Sequence, residues 1–406
     1  VDLDDADSPL AFWRHAERYL GGGTRTYSSS ADFMDISPLC HPQLGAPSFA
    51  VPSFHVPWAA GSLLTSGIPS GLTALYQIPG GFLLPVHPDA LSYPGLVGRE
   101  ELLALEPGPV FDVVPSANGR TVFVSAVDGT AVPEHLLKLH YPRRLSRFTR
   151  RLREPVIRAQ LWAAEELTRA GLPILAEVCG GVFGSGDDAW GFIVRELPPA
   201  TVAGDRFTVP LFALYGDDVQ APGGRSLVEQ LVAAGGSPAG SLLAERIVEP
   251  MVELWVRAAL ETGCALEMHG QNTLLSFTPD LREVEVLYRD CDVYVDPALR
   301  ARNGLTSLPP TGVISKDVPF PANQVFSLTY DSFMGHHALD YLARLARERL
   351  GVAPDALHAA ARRAFTAATG EAHRGLLPDT VYYYDNELRP RGAWNLVNTG
   401  RRPQWR

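Results

Sequence analysis

Lysine is nearly absent from this 406-residue chain: Lys138 and Lys316 are the only two among 35 basic residues. Arginine is the default cation here, as the heavy Ala, Leu, Pro and Gly content of a GC-rich genome favours. A lysine kept against that bias marks a place where a compact ammonium matters more than a planar fork. Cysteine is scarce too. Cys40, Cys179, Cys264 and Cys291 lie far apart, with no C-x-x-C pair and no zinc-finger spacing; this argues against a disulfide framework and makes the cytoplasm the expected compartment. No window approaches ~18 consecutive apolar residues, so no membrane-spanning helix is expected. The acidic start, Val1-Asp2-Leu3-Asp4-Asp5, has no signal-peptide pattern and no initiator methionine, so the chain is expected to begin inside or beyond a removed segment. A net charge of −10 argues against a nucleic-acid partner. Also missing are the phosphate loop G-x-x-x-x-G-K-S/T, the nucleophile elbow G-x-S-x-G and the zinc helix H-E-x-x-H.

What remains is a chain that can fold. It is 46% hydrophobic and long enough for two or three domains. Periodicity predicts a mixed α/β protein with helices over 9–20, 154–170 (ended by Gly171), 242–262 (ended by Gly263, kinked at Pro250), 336–350 and 354–369. Short strands are expected at 110–114, 121–124, 136–140, 174–178, 190–194, 265–268, 273–277 and 283–287. Gly21-Gly22-Gly23, Ser28-Ser29-Ser30, 57–71 and the glycine-rich 180–186 read as loops. This divides the chain into a loop-rich part (1–105), a middle part (106–230) and a helix-rich part (231–406).

Two constellations could carry chemistry. The first begins with the turn Ser116-Ala117-Asn118-Gly119-Arg120-Thr121. It continues with a strand placing Lys138 and His140 on one face, then Arg143, Arg144, Arg147, Arg150 and Arg151 in quick succession. So many cations suit a polyanion such as a nucleoside triphosphate or a tricarboxylate, although a solvated basic face would have the same composition. The second is Glu267-Met268-His269-Gly270-Gln271-Asn272, followed by Arg289-Asp290. Carboxylate and amide oxygens can hold Mg²⁺ while His and Gln touch phosphate or substrate; a satisfied polar turn is the alternative. Pro85-Val86-His87-Pro88 is rigid and could aim a histidine, or be a structural turn.

Together these elements resemble the NRPS-independent siderophore synthetases, the aerobactin-synthetase-like ligases. That family carries a Pro-Val-His-Pro element, a Ser/Thr-rich turn ending in Arg-Thr, a Lys-Leu strand before an Arg-rich segment, and His-Gly-Gln-Asn with a later Arg-Asp. The resemblance implies a cupped-hand α/β architecture of thumb, fingers and palm, with homodimers common. It also implies an enzyme that activates a citrate-like carboxylate as the acyl-adenylate with ATP and Mg²⁺, then passes it to an amine or alcohol. By the same resemblance Ser116, Asn118, Arg120, Thr121, Lys138, Gln271 and Asn272 would contact the nucleotide. Arg144, Arg150 and His269 would contact the carboxylate substrate, Lys138, Arg150 and His269 would be catalytic, and Glu267, Asn272 and Asp290 would hold the metal.

The chain departs from the family pattern at named places. Asn118 stands where the family has Ser, Asp89-Ala90 replaces Trp-Gln after His87-Pro88, and the N-terminal part is short, its basic element reduced to Cys40-His41-Pro42. These mark a trimmed, divergent relative, in siderophore or related natural-product biosynthesis. Two other readings share the residues: a small-molecule phosphotransferase, and an inactive homologue kept for binding.

Overall fold

The computed structural model describes residues 3, 7–21, 34–145, 148–310, 320–370, 375–385 and 395–406; Gly22, Gly23, Ser28-Ser29-Ser30, Arg147 and Lys316 lie outside them. Its centre is a seven-stranded antiparallel sheet. In chain order the strands are β1 (Phe49–Val51), β2 (Gly61–Thr65), β3 (Phe111–Pro115), β4 (Thr121–Val127), β5 (Thr130–Leu139), β6 (Glu177–Phe183) and β7 (Trp190–Glu196). Across the sheet the order is β1-β3-β4-β5-β7-β6-β2. The sheet therefore crosses the expected boundary at 105, since β1 and β2 form its two edges. Residues 61–65, expected as loop, are an edge strand whose half-exposed pattern carries no alternation to read.

The β4–β5 hairpin sets the register that matters most. Asp128 and Gly129 both have positive φ (47° and 71°), the requirement of a two-residue I′ turn, and Val127 pairs with Thr130. A β-bulge between Val124 and Ala126 then shifts the pairing, and the shifted register sets Thr121 opposite Lys138.

The glycine-rich stretch is strand, not loop. β6 runs through Gly180 and Gly181 because only glycine fits there: a Cβ on Gly181 would come within 2.3 Å of Phe192 and 2.7 Å of Phe82. On the partner strand, a Cβ on Gly191 would lie 1.6 Å from the Gly181 carbonyl oxygen. Residues 174–176 fall outside β6, apart from a single bridge from Ile174 to Tyr288.

The C-terminal half packs helices over a three-stranded sheet, β8 (Phe207–Pro210), β9 (Thr273–Phe277) and β10 (Val284–Tyr288), in that order. The helical stretch over 239–262 is continuous, with π-helical turns at Ala244–Val248 and Ala258–Thr262, and stops at Gly263 in the left-handed conformation (φ 69°). The helix expected from 336 begins at Ala322 and runs to Leu350, π-helical over Leu328–Leu339. The expected strand at 265–268 is reduced to Cys264–Ala265. The N-terminal helix, Pro9–Tyr19, starts at a Ser8 cap with Pro9 in its first turn and lays Phe12 edge-on to Phe207 of β8. None of the helices, among the described residues, is long and apolar enough to cross a membrane.

Candidate active site

β5 delivers Lys138 into the space between the central sheet and the C-terminal half. Its side chain is 3% exposed, and Nζ donates to Gln160 Oε1 (3.0 Å) and Asp290 Oδ1 (2.5 Å). Asp290 follows β10 with φ 75°, a left-handed conformation that a non-glycine residue adopts at some cost. The Arg289 amide donates to the Asn272 carbonyl just before it. Burial opposes ionisation of Asp290, but Lys138, Arg195 and Arg120 outweigh it and hold its carboxyl well below the usual range.

Arg195 of β7 lies 3.9 Å from Asp290 and 2.5 Å from Glu177, its direct partner on β6. This buried pair is imperfectly satisfied: Arg195 Nε and Glu177 Oε2 have no hydrogen-bond partner among the described residues. Gln160, Glu177 and Arg195 were missed by sequence reasoning. Each reaches the site from a different element, and no spacing rule connects them.

The Ser116–Thr121 turn forms one wall. Ser116 is buried, its carbonyl accepting from Gly119 N, and Gly119 takes φ 74°. The Asn118 carboxamide oxygen accepts from Arg120 N (3.1 Å) and Thr121 N (2.8 Å), while its nitrogen donates to Thr121 Oγ1 (3.3 Å). Asn118 therefore holds the turn closed. Arg120 NH1 donates to the Arg150 carbonyl (3.0 Å), tying the turn to the arginine-rich hairpin Tyr141–Leu145/Phe148–Arg150, where Arg144 stands opposite Thr149. His140 does not join Lys138. It accepts from Leu152 N (3.1 Å) and packs on Trp190 at 4.6 Å, because the chain leaves β5 at Leu139.

The opposite wall is the Glu267–Asn272 turn. His269 is buried; desolvation and the charges of His337, Arg150 and Arg289 push its pKa down to about 3 against a pull from Asp290. Its Nδ1 accepts from Gln271 N (3.3 Å). Asn272 Nδ2 donates to the Glu267 carbonyl (3.2 Å), leaving its amide oxygen as the atom available to a ligand. Behind this turn, Glu17 of the N-terminal helix is fully buried and accepts from both Arg289 terminal nitrogens, Trp13 Nε1 (2.9 Å) and Ala117 N (3.2 Å). One carboxylate thus joins the Ser116–Thr121 turn to the segment bearing Asp290. His337 closes the far side, its Nε2 paired with the Tyr383 hydroxyl (2.9 Å) and its carbonyl accepting from Gly270 N.

Comparison with solved structures supplies the context. ATP-bound aerobactin synthetase IucA from a hypervirulent pathotype of Klebsiella pneumoniae is 17% identical, with a TM-score of 0.66, covering 96% of this chain and 78% of that one. Aerobactin synthetase IucC from the same source is 18% identical, TM-score 0.61, covering 92% and 78%. Petrobactin biosynthesis protein AsbB from Bacillus anthracis str. Sterne is 12% identical, TM-score 0.69, covering 95% and 74%. This chain has the fold of these aerobactin synthetases and of the petrobactin biosynthesis protein. Residues 241–388 also match the family described as "Ferric iron reductase FhuF-like transporter", a span that includes the Glu267–Asn272 turn, Asp290 and His337. No curated protein sequence matches the chain. Within this synthetase-like fold, the two constellations separated by more than a hundred residues meet at a single site, joined by the Lys138–Asp290 pair.

Proposed function

We propose that the chain is an ATP-dependent ligase of siderophore or related natural-product biosynthesis, activating a polycarboxylate of the citrate type as an acyl-adenylate. The observation that carries this reading is the Lys138–Asp290 pair, set between Arg120, Arg150 and His269 and held by a left-handed Asp290. Substrate carboxylate and triphosphate are both anions, so bringing them together requires oriented cations. Arg120 and Lys138 take phosphate oxygens in this reading, which the Asn118-closed turn supports by fixing Arg120. Arg150 and His269 take carboxylate or phosphate oxygens, and a neutral His269 acts as a hydrogen-bonding group rather than as a charge.

The hard oxygens of Glu267, Asp290 and the Asn272 amide suit Mg²⁺, and the Asn272 orientation, nitrogen on Glu267 and oxygen left over, fits that role. A cation held there would offset phosphate charge. In the first half-reaction a carboxylate oxygen bonds to the α-phosphorus and pyrophosphate leaves; in the second an amine or alcohol attacks the acyl carbon, AMP leaves, and the nucleophile loses a proton to solvent. Aminolysis needs little beyond positioning.

The test is nucleotide product analysis with Mg-ATP, a carboxylate panel including citrate, and hydroxylamine. Carboxylate-dependent AMP and pyrophosphate with a hydroxamate is the expected result. ADP would make the protein a phosphotransferase, and tight ligand binding without turnover across the panel would make it a binding homologue.

A further inference from the structure

Away from the Lys138–Asp290 site, three chemically distinct donors converge in the protein interior. Cys40, His87 and Asp89 each place one ligand atom within 4.8 Å of the other two, and all three side chains are buried. They form the only such group of His, Cys, Asp and Glu among the described residues. No spacing rule would find them, because Cys40 lies in a loop and the other two sit at the start of a one-turn helix more than forty residues later.

The surroundings resemble the outer shell of a metal site. A ligating histidine usually donates its second ring N–H to a carbonyl or carboxylate, which fixes the tautomer. His87 Nε2 lies 3.2 Å from the Gly119 carbonyl, which leaves the Nδ1 lone pair, now shared with Asp89 N (3.1 Å), as the ligand. Ser37 N (2.7 Å) and the Tyr141 hydroxyl (3.0 Å) both donate to Asp89 Oδ2, and the Ser37 side chain hydrogen-bonds both this carboxylate and the Cys40 thiol, so Ser37 links two of the three donors. The Cys40 loop is held in place by Arg18, which donates to the carbonyls of Pro42 (2.5 Å), Ala46 (2.9 Å) and Pro47 (3.0 Å). Phe49 and Tyr141 wall the imidazole, each edge-on to it, at 5.6 and 4.9 Å.

We propose that Cys40, His87 and Asp89 bind one divalent transition-metal ion of the zinc class, a structural clamp under the Ser116–Thr121 turn. A thiolate, a neutral imidazole and a carboxylate select zinc-like ions over Mg²⁺, which prefers oxygen alone. One thiolate and one carboxylate neutralise a divalent charge, so the buried assembly carries no net charge. Binding displaces the thiol proton to solvent and replaces the Asp89 N–H contact at Nδ1 by a coordination bond. Through the His87–Gly119 hydrogen bond the ion would fix the turn that bears Asn118 and Arg120. The site is independent of the reading given to the Lys138–Asp290 site.

The full chain, purified without chelator, is assayed for metal by plasma mass spectrometry; chelated protein is then titrated with Co²⁺. About one equivalent of zinc-class metal is expected, with a thiolate-to-cobalt charge-transfer band that vanishes in Cys40→Ala. Zinc is expected to raise the melting temperature of the chelated wild type but not of that variant. Metal-free protein whose Co²⁺ titration gives no thiolate band overturns the proposal, as does a band that survives in Cys40→Ala. Should the variant fail to fold, the wild-type titration and the same titration of Asp89→Asn decide, a wild-type band undiminished in Asp89→Asn being the overturning result.

Discussion

Lys138 is the residue on which most of the candidate active site converges. Its ammonium, itself almost sealed from water, neutralises a partly buried Asp290, and a positioned charge there acts more strongly than in bulk solvent. Replacing it with alanine removes an oriented donor and leaves Asp290 facing only the more distant Arg195 and Arg120. By analogy with the deletion of a single oxyanion donor, turnover should fall by about 10²–10³-fold or more. ATP-dependent hydroxamate formation measures this, and a fully active Lys138→Ala enzyme would rule out the ligase reading. His269→Ala should lose turnover in the same assay. Glu17 makes a different case, since it touches no substrate and belongs to a helix far from both motifs in the sequence. Its carboxylate balances buried Arg289, so Glu17→Gln leaves a guanidinium charge unpaired, a change that typically costs about 3–5 kcal/mol. Denaturant unfolding should show that loss as a lower midpoint with an unchanged slope.

Among elements, those whose formation is local were legible in the sequence. Glu154–Arg169 and Pro354–Thr369 show helical periodicity with Pro in the first turn, and Thr273–Phe277 is an apolar run between turns; all three form as their sequences suggest. The motif turns, too, could be recognised from residue order. What could not be read is whatever tertiary contact decides. Asp290 meets Lys138 across 152 residues, and Gln160 and Arg195 join them from a helix and a strand with no marker of their own. Glycine stands at these β6 and β7 positions because neighbours fill the space a side chain would need: the Phe82 and Phe192 rings at Gly181, the Gly181 carbonyl at Gly191. Gly191→Ala tests that account. Its Cβ would strike backbone rather than a movable side chain, so relief requires β6 and β7 to separate. The cost should reach or exceed the upper end of the ~1–3 kcal/mol usual for overpacking, visible as a lower melting temperature. An alanine tolerated without loss would mean that the two strands are less closely paired than the glycines imply.

On the scale of the whole molecule, folding places histidines in the interior of both halves in their neutral form. His135, on the Lys138 strand, pairs its Nδ1 with the Pro133 carbonyl (2.7 Å) and its Nε2 with the Tyr76 hydroxyl (2.6 Å). Burial pushes its pKa down to about 4. Burial and nearby arginines push His140 down to about 3, and burial with the His336 charge does the same for His337 in the C-terminal half. All three folded values lie below the ~6.5 of an unfolded histidine. The unfolded chain therefore takes up protons first as pH falls. The stability these groups contribute is fully present above about pH 6.5 and is lost progressively toward pH 4. Each proton bound only by the unfolded chain costs about 1.4 kcal/mol per pH unit, so three together steepen the decline well before the carboxylates titrate. Denaturant midpoints measured from pH 8 to 4.5 should be flat at first and then fall below about pH 6. Replacing His135 with Gln keeps a hydrogen-bonding side chain while removing the titration, so the fall should become shallower. A profile equally steep in His135→Gln would transfer the acid sensitivity to groups outside this strand.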